Sequence, residues 1–90
     1  MAIVAIKLRI MPVSPETDLE KIRIELEKRV EKLEARLNST EIEPIAFGLR
    51  ALIATILWPE NKEPDLLENA IRSIEDVESA EIIDVTRVGF

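Results

Sequence analysis

No cysteine and no histidine occur in the 90 residues of this chain. Without thiols there is no disulfide framework and no thiolate metal site, and without imidazole the commonest general base and metal ligand is missing. Most familiar hydrolytic constellations are therefore excluded. Aromatic residues are scarce, only Phe47, Trp58 and Phe90, and acidic residues outnumber basic ones 18 to 12 for a net charge of -6. A chain with few stacking platforms and an excess of negative charge is poorly equipped to capture a phosphate backbone, which argues against nucleic acid as a direct partner. Long apolar runs are missing too, since none reaches the roughly 20 residues needed to span a bilayer. The apolar opening, Met1 to Met11, is broken by Lys7 and Arg9 and lacks both a separate basic head and a small-residue cleavage site, so it does not read as a signal peptide. The expectation is a soluble, cytoplasmic protein that carries no cofactor.

What remains is a chain that is 47% apolar and one third charged. Ninety residues make a single domain spanning the whole chain, and a domain this short buries only roughly 60 to 65% of its unfolded surface, so its core has to be efficient. Ala2, Val4, Ile6, Leu8 and Ile10 alternate with Ile3, Ala5, Lys7 and Arg9, the pattern of a strand with one well-buried face. Thr17-Asp18-Leu19-Glu20 has the form of a capping box and predicts a helix starting near Asp18. Leu19, Ile22, Leu26, Val30, Leu33 and Leu37 extend one apolar stripe down that helix, to an end expected at Asn38-Ser39-Thr40.

Glycine occurs only twice, at positions 48 and 89. Gly48 stands between two apolar runs and predicts a hairpin, with Pro44 early in an edge strand and Leu49 to Trp58 as an inner strand covered on much of both faces. Pro64 suits the first turn of a second helix, whose stripe is Leu67, Ala70, Ile71 and Ile74. Ala80 to Val88 reads as a last strand.

The order strand, helix, strand, strand, helix, strand is the ferredoxin-like βαββαβ plan, an α+β fold with a four-stranded antiparallel sheet and both helices on one face. The first and third strands should be central. The opposite face is left open, with Ile3, Ala5, Lys7 and Arg9 pointing to it, an apolar and basic surface suited to a partner or a second copy. This fold hosts unrelated functions and does not choose among them. No spacing among Glu16, Asp18, Glu41, Glu43 and Asp84 implies a general acid-base pair. Protein interaction is favoured over catalysis, with self-association through the open face as the simplest alternative.

The segment Glu43-Pro44-Ile45-Ala46-Phe47-Gly48-Leu49-Arg50-Ala51-Leu52 closely resembles the central motif of archaeal translation elongation factor 1-beta. Ser14-Pro15-Glu16-Thr17-Asp18-Leu19 resembles that family's strand-to-helix turn, and Val77-Glu78 through Ile83-Asp84-Val85 resembles its closing strand. The resemblance implies a guanine-nucleotide exchange factor that binds the GTP-binding elongation factor 1-alpha and promotes GDP release without bond chemistry of its own. It implies partner contacts at Phe47 and Gly48 in the hairpin. It also implies a role for the chain end, where related factors bring a basic residue beside the last hydrophobic one up to the magnesium and switch region of the GTPase. The matching positions here are Arg87 and Val88. The eukaryotic branch has lysine at the first of these, and this chain continues through Gly89-Phe90, so both residue type and chain end differ.

Overall fold

A computed structural model describes residues 2–88; Gly89 and Phe90, the continuation noted above, lie outside the described residues. The strands are β1 (Ile3–Pro12), β2 (Arg36–Pro44), β3 (Arg50–Pro59) and β4 (Val77–Arg87), and the helices are α1 (Leu19–Lys32) and α2 (Pro64–Arg72), in the order β1-α1-β2-β3-α2-β4. They form one antiparallel sheet ordered β2-β3-β1-β4, so the first and third strands are central. This is the ferredoxin-like α+β plan expected from the sequence.

The alternation of β1 builds the core. Ile6, Leu8 and Ile10 are fully buried, and the register sets Ile56, Ala54 and Leu52 of β3 beside them. Leu19, Ile22, Leu26 and Val30 of α1 and Leu67 and Ile71 of α2 close the same face. Each fully buried Ile or Leu contributes about 1.5 to 3 kcal/mol of transfer free energy, so this single layer of contacts fixes which face the helices cover. Trp58 anchors the far end of β3: it is fully buried, and its indole Nε1 donates to the carbonyl of Lys62 at 3.0 Å. The Lys62 ammonium lies 5.8 Å from the indole centroid and donates to the Leu33 carbonyl at the end of α1.

Three local expectations are corrected. The N-cap of α1 is Asp18, whose side chain accepts from the Glu20 amide at 3.0 Å, while the Thr17 hydroxyl instead accepts from the Ser14 amide at 3.3 Å. Glu20 turns to Arg23 rather than back to a backbone donor, so the capping box is not formed. Secondly, α1 ends at Lys32, not near Asn38. Glu34 takes a left-handed φ of 61°, and the amides of Glu34 and Ala35 bond to the carbonyls of Glu31 and Val30, a Schellman ending without glycine. Leu37 and Asn38 to Thr40 accordingly belong to β2, where Leu37 still reaches the core because its register partner is Ile56. Thirdly, Pro44 is the last residue of β2 rather than an early one. It is nevertheless on an edge strand, where its missing N-H leaves no ladder bond unmade.

Candidate functional site

The β2–β3 connection, residues 45–49, closes on a β-turn with two central residues. The Leu49 amide donates to the Ala46 carbonyl at 2.9 Å, and the central residues Phe47 and Gly48 have φ of 55° and 80°. Two positive φ values in sequence define a type I′ turn, whose twist matches that of the flanking strands and which ordinarily selects Asn-Gly. A phenylalanine in the left-handed region is unusual, because its Cβ crowds the following carbonyl at roughly 1 to 2 kcal/mol. The Phe47 side chain gains no burial in exchange, being 98% exposed. Ile45 in the same connection and Val13 at the start of the β1–α1 loop are also exposed, and a Cβ built on Gly48 would come 3.8 Å from Pro15 Cβ of that loop. The β1–α1 loop and the hairpin therefore form one apolar end of the molecule, with Phe47 projecting from it.

Arg87 and Val88 occupy the other end. Arg87 is the last residue of β4 and pairs with Val4 near the start of β1. The Val88 amide donates to the Ile3 carbonyl at 3.0 Å, and the Arg87 guanidinium forms an ion pair with Glu60, directly after β3. Antiparallel pairing dictates the separation of the two candidate regions, because the hairpin joins the start of β3 while Arg87 stands, across Val4 of β1, level with Trp58 near its end. Nine steps of extended chain at about 3.3 Å put them about 30 Å apart. Phe47 and Gly48 are brought together, as are Arg87 and Val88, but the two pairs do not converge.

The open sheet face differs from the apolar and basic surface expected. Ile3, Ala5, Lys7 and Arg9 do point to it, but Lys7 stands opposite Asp84 and Arg9 opposite Glu81 in the register. Arg9 reaches Glu43 through Nε and Glu81 through a terminal nitrogen, each at 3.4 Å. The Nε contact is an ion pair without hydrogen-bond geometry, which leaves that buried nitrogen unmatched. Thr55, lying between Ser39 and Lys7, adds hydroxyl character. The register shifts at Lys7/Leu8 of β1 against β4 and at Leu37/Ser39 of β2 against β3 disturb both edge pairings, which discourages strand-to-strand association.

A groove of about 520 Å³ runs between the start of α1 and the β2–β3 edge, lined in part by Asp18, Arg23, Ile42 and Arg50. Within it the bonds from Arg23 hold the Glu20 carboxyl below the ordinary carboxylate value. Among the described residues, no three acidic groups converge as a metal ion would require, and no helix is long and apolar enough to cross a membrane. The contribution of Glu60 was not legible in the sequence, since only the sheet register brings residues 60 and 87 together. The exposure of Val13 and Ile45 was equally hidden, as both extend apolar strand patterns.

Residues 5–88 match the sequence profile of the EF-1 guanine nucleotide exchange domain. Elongation factor 1-beta of Sulfolobus acidocaldarius is 45% identical over 97% of this chain and 98% of its own length. The Metallosphaera sedula protein of the same name is also 45% identical, over the full length of both, and that of Methanococcus aeolicus is 37% identical over 98% of this chain and all of its own. Among solved structures, the C-terminal domain of the MgtC protein from Mycobacterium tuberculosis superposes with a TM-score of 0.64 over 92% of this chain and 86% of that one. At 14% identity, this likeness concerns the fold alone. Fold and profile together define an exchange-factor type of domain. The chain belongs to the elongation factor 1-beta family.

Proposed function

We propose that the chain promotes GDP release from elongation factor 1-alpha, and so its reloading with GTP, by binding the nucleotide-free GTPase more tightly than the GDP-bound one. Family membership supports the choice of partner. The observation that carries the reading is Phe47, a bulky side chain held at a left-handed φ of 55° and 98% exposed. Strain of this kind persists where a function requires it, and an aromatic on a rigid turn is the type of anchor that dominates interfaces. Arg87 and Val88 would supply the contact nearest the nucleotide site.

The mechanism is linkage. If the chain binds the empty GTPase better than the GDP complex by some factor, GDP binding is weakened by that same factor. No covalent step is needed. Geometry adds a requirement: a standard interface of roughly 800 Å² per partner is about 32 Å across if circular, while the hairpin and chain end are about 30 Å apart. The GTPase would have to run along the whole sheet to touch both. Titration of the chain against the nucleotide-free and the GDP-bound GTPase tests the reading. Tighter binding to the empty form is expected, and equal affinities would refute exchange by linkage.

A further inference from the structure

We propose that Glu60 is a positioning residue that holds Arg87 in reserve, so that opening the Glu60–Arg87 ion pair is a step of nucleotide exchange; this rests on the exchange-factor reading above.

The pair is built across a strand. Arg87 closes β4 and Glu60 follows β3, with β1 between them. The backbone at each residue is pinned to that middle strand, the Glu60 amide to the Ala2 carbonyl at 3.1 Å and the neighbouring Val88 amide to the Ile3 carbonyl at 3.0 Å. The freedom left to Arg87 is therefore that of its side chain. Both groups stand at the surface, their side chains 67% and 39% exposed, so a change of partner needs only rotamer motion, which is fast on the scale of exchange.

Electrostatics gives the pair a consequence. A guanidinium joined to a carboxylate presents no net charge, whereas a residue that competes with a cation or bonds to phosphate must present one. In the free protein Glu60 neutralises the one group that the exchange reading needs as a cation. Exposed ion pairs are weak, so the restraint is slight and a GTPase with a competing anionic site can overcome it. Because the hairpin lies at the other end of the sheet, docking through Phe47 can precede the switch of Arg87 from Glu60 to the partner. The cost of opening then appears in the saturating rate of GDP release and not in the concentration of chain needed for half-saturation.

The test is stimulated release of fluorescent GDP from elongation factor 1-alpha by wild type, Glu60→Gln, Arg87→Ala and the double variant. Glu60→Gln should raise the saturating rate by about 1.5- to 5-fold, the range for an exposed pair. It should leave half-saturation unchanged, and the gain should shrink at high salt, where the wild-type pair is itself screened. In the Arg87→Ala background the same substitution should do nothing. Glu60→Asp, which keeps the charge, should stay closer to wild type. A lower rate for Glu60→Gln, or the same gain with Arg87 absent, would overturn the proposal while leaving the exchange reading in place. Failure of wild type to accelerate release at all would overturn both.

Discussion

Phe47 and Gly48 hold the two central positions of one turn, with φ of 55° and 80°, and only the glycine is at ease there. The turn geometry calls for Asn-Gly, while the chain keeps an aromatic ring that touches nothing of its own core. Replacing Phe47 by Asn should therefore stabilise the domain by about 1 kcal/mol. Binding of elongation factor 1-alpha should weaken at least tenfold, or about 1.4 kcal/mol. Denaturant unfolding followed by Trp58 fluorescence reads the first effect and a binding titration the second. Raised stability with unchanged affinity would remove Phe47 from the interface.

Gly48 should behave in the opposite way. A methyl group there would meet only Pro15 Cβ, at an ordinary 3.8 Å, so Gly48→Ala tests conformation rather than space. The left-handed backbone should cost about 1 kcal/mol, lowering the thermal midpoint by about 4 to 8 °C for a domain of this size. An unchanged midpoint would mean that the turn is not held in its type I′ form.

The strand order and the two central strands were legible because burial alternates along most of β1 and β3 is apolar but for Arg50 and Thr55. Pro64 likewise stands in the first turn of α2 as expected. The end of α1 was not legible, for a physical reason: Leu33 and Leu37 continue the helical stripe, yet Leu37 reaches the same core from a strand. The stop signal is Glu34 in a conformation usually left to glycine, which sequence pattern does not announce. At the candidate site, Phe47-Gly48 was identifiable as a motif, but neither the ring's exposure nor the tie between Arg87 and Glu60 was. Both depend on register between segments distant in sequence.

Lys62 joins the end of α1 to the β3–α2 connection. Lys62→Ala removes the donor from the Leu33 carbonyl and the cation facing the Trp58 ring, for an expected loss of about 1 kcal/mol. The indole bond should survive, since it goes to the backbone carbonyl of residue 62. Calorimetry should thus show a lower midpoint while Trp58 emission in the folded state stays unchanged; a shifted emission would mean that the lysine side chain also shapes the indole pocket.

The Glu20–Arg23 pair gives a pH signature. Hydrogen bonding from Arg23 lowers the folded-state pKa of Glu20 below the ordinary carboxylate value, so the unfolded chain binds the proton more readily. Stability from this pair is present above that value and is lost as pH falls through the lower folded one. The stability difference between wild type and Arg23→Ala should be constant near neutrality and close in acid. A difference that persists at pH 2 would assign the role of Arg23 to packing.

GDP release from elongation factor 1-alpha, timed with and without this chain, decides whether the domain acts in nucleotide exchange. Wild type should accelerate release, Phe47→Ala should require more protein for the same rate, and Arg87→Ala should lower the rate even at saturation. Release that is no faster with the wild-type chain at saturating concentration would contradict the account.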